Sequence, residues 1–479
     1  MTLRADTVVL SPGGDPSAPP AVDPYDLAGD EGIVMVDGSL TLVGLGRART
    51  LTLDGGLADD SAVADIGHWL AGLPCTDPLR RPGTGAVAFG ALPFDRHEPA
   101  GLVVPEVVYG RADDGTEWLT VVTGGDDDGD SRRSLPDGPP ELPADPADLR
   151  AWLAAGAGRH AVGASSPNGA GTGGLPQLAR IRPCSTDGAF LAVTAEAVAA
   201  IHRGEVDKVV LARQVDVETT GPLDVPALLR RWHLREPACT IFAMPATDGR
   251  RFVGASPELL VARRGVHVRS RPLAGTSGGD GDGPDGSRLL DSSKDTLEHR
   301  YVTEFIAGVL APLCRELDVP EHPELAHLHS VTHLATPIAG VLDGDPGRSP
   351  GGDDGVPSAL ALVAALHPTP AVGGVPREAA LAMIASREHP RRDHYAGPVG
   401  WTDARGDGTW VVGIRAVTVH GTTARLAAGV GIVGASDPGA ELLETNWKLT
   451  AVFEALVPGA DFSAVGLDDR PPAPATGRS

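Results

Sequence analysis

Runs of short apolar segments separated by turn residues, set among a few long helical stretches, restrict this chain's fold more than any other feature of its sequence. Before residue 124, IVMVDGSLTLVGLG, ARTLTLDGG, GAVAFGALPF and EWLTVVTG read as strands and ADIGHWLAGL as a helix. After about residue 185 a helix, AFLAVTAEAVAAIHRG, leads into strands KVVLARQVDV, CTIFAMPA, RFVGAS, LLVARRG and VHVRSRPL. KDTLEHRYVTEFIAGVLAPLCREL reads as one long helix capped by Ser292 or Ser293. Beyond it lie a helix at REAALAMIASREH and strands AGPVGWTD, TWVVGIRAVTVHG and ARLAAGVGIV, and a last helix begins near Ser436 or Asp437. Hairpin-spaced strands mixed with long helices predict an α+β fold with layered sheets.

Three Gly/Pro/Asp-rich stretches, 124–147, 277–288 and 343–358, are too polar to offset their ordering entropy by burial and are predicted as loops or linkers. They suggest an N-terminal half at 1–123, a linker region at 124–184, a C-terminal segment at 185–458 and a frayed tail at 459–479. With 63 acidic against 40 basic residues the formal charge is −23, which argues against nucleic acid or an anionic membrane as partner. The four cysteines lie far apart without a C-x-x-C, so free, mostly buried thiols are expected. Neither a signal-peptide core nor an 18-residue apolar run occurs, and a soluble cytoplasmic protein is the expectation.

Gly429-Val-Gly-Ile-Val-Gly434 spells G-x-G-x-x-G after an apolar run. A dinucleotide fold would need a second parallel strand and an acidic residue about 20 positions on. Downstream of these glycines the chain has only one helix, ending near Leu456, and then PGADFSAVGLDDRPPAPATGRS, with no buried strand, so the context fails. The helix itself says more. Glu441, Glu444 and Lys448 fall on one face, and Asp295 and Glu298 repeat the i, i+3 carboxylate spacing near another helix start. Taken singly, each pair reads more simply as a capping box or a charged face. Facing each other, the two would hold one Mg²⁺, a cation that prefers oxygen ligands and retains waters.

From about 185 to 456 the chain resembles the chorismate-utilising enzymes, and among them the isochorismate synthases. The likeness is carried, in order, by KVVLAR, FVGASPELLV, SRPLAGT, KDTLEH, SVTHLATPIAG, LHPTPAVGGVP, EHPRRDHYAGPVGW, TWVVGIRA and AAGVGIV…ELLETNWK. It implies that family's fold, two stacked β-sheets flanked by helices, with 185–458 as the chorismate-binding catalytic part. It implies Glu298 and Glu444 as Mg²⁺ ligands, supported through water by Asp295 and Glu441. Gly275, Thr276, His333, Tyr395, Arg415, Lys448 and the backbone at Gly429 and Gly431 would contact the dianionic substrate, whose carboxylates need such counter-charges.

Within the family, members that add ammonia carry Gln at the position of Lys208, and members that add water carry Lys. Lys208 is thus expected to take a proton from water attacking carbon 2 of chorismate, while Glu258 protonates the hydroxyl leaving carbon 4. The pair makes opposite demands, a lysine able to lose its proton and a glutamate able to keep one. Ala274 stands where covalent aminodeoxychorismate enzymes carry Lys, which disfavours that chemistry and implies no glutamine amidotransferase partner. His333 reads equally as a structural histidine or as a group near the pyruvyl side. A salicylate synthase, which goes on to eliminate pyruvate, is the nearest alternative, and a non-catalytic metabolite-binding relative a further one. Siderophore and menaquinone routes both remain open, and a monomer or weak dimer is expected.

Overall fold

The computed structural model describes residues 3–13, 22–124, 148–155, 177–278, 287–329, 331–344, 355–460 and 462. Much of each predicted Gly/Pro/Asp-rich stretch, and the tail at 461 and 463–479, lie outside the described residues.

Two large sheets and one small one organise the chain. The thirteen-stranded sheet runs Leu178–Pro183, Lys208–Thr219, Thr423–Ile432, Ala416–His420, Arg251–Ser256 and Thr240–Pro245. It continues with Ile33–Val36, Leu40–Leu45, Val107–Ala112, Thr116–Thr123, Arg4–Pro12 and Cys75–Thr76, while Gly374–Val375 pairs beside Lys208–Thr219. The nine-stranded sheet runs Cys314–Asp318, Ile338–Leu342, His267–Arg271, Leu259–Arg264, Gly408–Val412, Pro398–Asp403, Val87–Ala91, Ala100–Val104 and Arg49–Leu53. In both, strands from the N-terminal half extend a sheet begun by the C-terminal half. The seams are Ile241↔Val36 in one and Gly400↔Gly90 in the other. The α+β expectation therefore holds, and the two halves share their sheets.

An apolar layer including Phe89, Trp118, Phe242, Phe252 and Trp401, each at most 1% exposed, joins strands of both sheets. Helices Asp60–Ala71, Ser293–Leu310, Ala359–Leu366 and Arg377–Arg387 contribute to a second core, and Val225–Arg235 and Pro438–Leu456 to a third. Alternation along Lys208–Thr219 cannot be seen in its pattern because both faces are covered, so the strand reads as a nearly continuous buried run.

Several expectations are corrected. The long helix stops at Leu310; Pro312 lacks an N–H to continue it, and Cys314–Asp318 leaves as an edge strand. TWVVGIRAVTVHG is two strands in different sheets, with the crossing at 413–415 and Arg415 in the left-handed region at φ 52°. The 124–184 linker region contains a helical turn pair at 148–155, whose Leu149 and Leu153 are fully buried, and the strand Leu178–Pro183. The tail begins anchored, since Phe462 is buried with its ring 5.1 Å from that of Phe453. The four cysteines are free, but only Cys239 is buried, and Cys75 is exposed on a two-residue edge strand. Among the described residues no helix is long and apolar enough to cross a membrane.

A third sheet, Leu273–Gly278, Val331–Ala335 and Glu324–His327, was not expected. It lies against the start of Ser293–Leu310 and closes one side of a deep cleft.

Candidate active site

The strands Lys208–Thr219 and Thr423–Ile432, the small sheet and the N-terminal turns of Ser293–Leu310 and Pro438–Leu456 enclose a cleft of about 730 Å³ including its mouth. Of the residues singled out in the sequence, Glu258, Gly275, Thr276, Glu298, His333, Tyr395, Arg415, Gly429, Gly431, Glu444 and Lys448 line it. Lys208, Asp295 and Glu441 stand behind that lining.

Lys208 opens its strand and is fully buried. Its Nζ lies 3.1 Å from Oε1 of Glu298, yet among the described residues makes no hydrogen bond of good geometry. Gly431, in the neighbouring strand, makes this meeting possible, because a Cβ there would lie 2.0 Å from Glu298 Oε1 and 3.1 Å from Lys208 Cε. The G-x-G-x-x-G stretch is thereby explained by packing. Gly429 and Gly431 sit inside an antiparallel strand, paired with Ala212 and Val210, in no phosphate-binding turn. Gly431 also lines the cleft, so this packing reason stands beside the expectation that its backbone serves a substrate carboxylate.

Glu258 is 4% exposed, and burial raises its carboxyl to about 8 against the opposing charge of Lys208. It is held at the turn between two strands, where its N–H meets Ser256 Oγ at 3.3 Å and its carbonyl accepts from Val412 N at 3.0 Å. A carboxyl so placed remains protonated at neutral pH and can donate a proton into the cleft.

The four acids expected around a cation are each engaged. Glu298 faces Lys208. Glu444 Oε1 lies 2.7 Å from Lys448 Nζ, one turn along the same helix, and Glu441 Oε1 lies 2.5 Å from Lys294 Nζ. Asp295 accepts a hydrogen bond from Ser292 Oγ, the N-cap whose oxygen in turn accepts from Asp295 N at 3.2 Å. Burial pushes Asp295 and Glu441 up, the latter against Lys294. Burial also pushes Glu444 up, but Lys448, Lys294 and the Thr276 hydroxyl outweigh it, and its carboxyl rests below the ordinary range. Among the described residues no three His, Cys, Asp or Glu side chains gather on one point. The donor set nonetheless suits a hard dication. Glu298 and Glu444 present carboxylate oxygens to the cleft, and Glu441 Oε2 is buried with no hydrogen bond of good geometry among the described residues, only the Ser436 hydroxyl acting on its carboxyl.

Cationic groups occupy the remaining wall. Lys448 Nζ donates to Gly429 O at 3.0 Å. Arg415, turned inward by its left-handed backbone, brings Nη2 to 3.5 Å from His333 Nε2. Burial, then Arg415 and Lys448, lowers His333 to about 3, so the ring is neutral at working pH. Its Nδ1–H donates to Gly275 O at 2.9 Å, which leaves the Nε2 lone pair toward Arg415. Gly275 adopts φ 71°, and a Cβ on it would come within 2.9 Å of Asp295 Cβ. Tyr395, whose hydroxyl burial raises to about 12, stays protonated beside Gly429.

Two functional positions carried no assignment in the sequence. Lys294 is the counter-ion of Glu441, and its place one residue before Asp295 was the available signal. Arg392 lines the cleft, buried and bidentate on Glu388 at 2.6 and 2.7 Å. It also donates to Val210 O at 2.7 Å and Val372 O at 2.6 Å, while Glu388 accepts Ala212 N at 2.8 Å. Together they tie the strand of Lys208 to the loop bearing Gly373. The four-residue spacing in EHPRR was its only trace.

Comparison with known proteins gives one family. A sequence model described as chorismate binding enzyme matches residues 175–457. The chain is 36% identical over 390 residues to a protein named putative isochorismate synthase MenF of Mycobacterium tuberculosis, covering 78% of this chain and 88% of that one. It is 39% identical over 268 residues to isochorismate synthase EntC of Escherichia coli K12, covering 55% of this chain and 66% of the relative. A crystal structure titled putative 2,3-dihydroxybenzoate-specific isochorismate synthase DhbC, from Bacillus anthracis, superposes with a TM-score of 0.68. It is 29% identical over 90% of this chain and 99% of its own. The menaquinone-specific isochorismate synthase MenF of Escherichia coli, 23% identical with a TM-score of 0.68 over 95% and 94% of the two chains, shares the fold.

Proposed function

This chain belongs to the chorismate binding enzyme family, and from that premise we propose that it is an isochorismate synthase. One observation carries the reading. A buried glutamate that keeps its proton up to about pH 8 lines a cleft behind whose wall lies a buried lysine, the acid and base that exchange of a ring hydroxyl demands. Lys208 takes a proton from the water that adds at carbon 2 of chorismate. Glu258 gives its proton to the hydroxyl leaving carbon 4, which departs as water, so the substrate is isomerised without net gain or loss of atoms. Arg415, Lys448 and the Tyr395 hydroxyl hold the carboxylates, and neutral His333 fixes the guanidinium of Arg415 by accepting at Nε2.

Ala274 lines the cleft, so no lysine amine is offered there as a covalent nucleophile. With water as the reactant, no amidotransferase is required. Glu298 and Glu444 would hold Mg²⁺, backed by Asp295 and Glu441. When bound, it would neutralise these carboxylates and attract a substrate carboxylate into an acidic cleft.

Incubating the purified protein with chorismate and Mg²⁺ and separating the products by chromatography tests the proposal. Isochorismate alone is expected, with turnover lost to a chelator and restored by Mg²⁺. Salicylate and pyruvate would instead make it a salicylate synthase. No turnover, with a ligand-dependent rise in Tm, would reduce it to a binding protein.

A further inference from the structure

Arg392 lines two cavities. The second, of about 1390 Å³ including its mouth, lies between the loop carrying Phe94 and Arg96 and one face of the helix Arg377–Arg387. Arg377, Leu381 and Ala385 recur there every fourth residue, and Ile384 and Phe94 extend the apolar wall.

Two guanidiniums border this wall without a counter-ion among the described residues. Among the described residues Arg96 makes one long bond, 3.4 Å from Nη2 to Leu57 O, and its buried Nε has no partner. Among the described residues Arg377 donates only to the carbonyls of Ala365 and Leu366, each at 3.4 Å, and it lies 4.8 Å over the Phe305 ring. Burial, and next the charge of Arg96, lowers the Arg377 guanidinium, so the two cations feel one another. The acids nearby are committed elsewhere: Glu98 to Arg391 at 3.1 Å, Glu388 to Arg392, and Asp393 to Arg250 at 3.1 Å. Asp95 and Glu378, at the rim, are exposed; the charge of Glu378 is felt by Arg377 but is outweighed by burial and Arg96, and among the described residues no carboxylate forms an ion pair with Arg96 or Arg377. Adjacent like charges without an ion-pair contact, in a chain of net charge −23, are an arrangement that a bound anion resolves.

We propose that this cavity is a second ligand site, for a small ring-bearing carboxylate, in which Leu381, Ile384 and Phe94 hold the ring while Arg96 and Arg377 hold the carboxylate. The site stands apart from the catalytic reading and does not depend on it.

Benzoate is the probe, titrated calorimetrically into the full chain at millimolar concentration. Saturable binding is expected, weakened by about tenfold or more in an Arg96→Gln/Arg377→Gln double variant that loses two charge-assisted contacts. Turnover of chorismate by that variant should match wild type, which also reports on its folding. Ala385→Glu, at an exposed helical position facing the cavity, should abolish binding by adding a like charge. The proposal is overturned if benzoate fails to bind wild type, or if it binds wild type and both variants alike, as occupancy of the catalytic cleft would produce.

Discussion

Two lysine–glutamate pairs, one with both members lining the cleft and one with its lysine behind the wall, are built in opposite ways. Lys448 and Glu444 stand one turn apart on a single helix, with side chains 17% and 15% exposed, and Lys448 has a carbonyl as a second partner. Lys208 and Glu298 come from a strand and a distant helix, and the lysine is wholly buried with no well-formed hydrogen bond. The first pair costs little to assemble and can rearrange around a ligand. The second exists only because three elements pack around it, and the lysine nitrogen has no other side-chain partner among the described residues. A group held without alternative partners is poised for proton transfer, whereas one with several is suited to binding.

Removing each lysine separates the two pairs most sharply. Lys208→Ala should lower kcat by about 10³-fold with KM little changed, the scale of lost general base catalysis. Lys448→Ala should chiefly raise KM, by about 10- to 100-fold, as expected for one lost charge-assisted contact. Equal effects on kcat and KM in steady-state kinetics would erase the distinction.

Gly431→Ala probes the buried pair without touching its charges. The added methyl meets the Glu298 carboxylate at 2.0 Å, so helix or strand must shift. A loss of about 1 to 3 kcal/mol in denaturant unfolding, with reduced turnover, is expected from overpacking. Wild-type stability and activity would show that the pair has slack.

The smallest effect is a pH dependence. The Glu258 carboxyl sits at about 8 in the folded chain, above the usual glutamate range, so the acid is present below pH 8. Turnover should fall by about tenfold per pH unit above 8 and be flat just below. Stability moves in the same direction, because the folded state binds this proton more tightly than the unfolded one. Its contribution is complete below about pH 4 and is lost as pH rises through about 8. Glu258→Gln should therefore gain Tm over wild type as pH rises from 5 to 9, while losing turnover throughout.

The same contrast separates what could be read from the chain. Glu441, Glu444 and Lys448 are periodic on one helix, and local spacing declares them. Asp295 and Glu298 are equally legible as a pair, though not as neighbours of Lys208, because nothing in a strand's sequence names the helix that crosses it. Glu258 and Arg415 came from family resemblance alone: one is a polar residue at a turn, the other an arginine with φ 52° that no propensity anticipates. The small sheet was missed because Leu273–Gly278 carries Gly275 and a bulge that obscure alternation. Conversely, the charged composition of CREL favours a helix, against the warning of Pro312.

The seams in both large sheets also bear on how the chain is made. During synthesis the N-terminal half emerges first, with Ile33–Val36 and Val87–Ala91 presenting unpaired edges whose partners, Thr240–Pro245 and Pro398–Asp403, are still unsynthesised. Open edges invite pairing with other chains. The sheet that builds the cleft therefore closes only when the last third of the polypeptide arrives, and the nascent protein must be kept from its neighbours until it does.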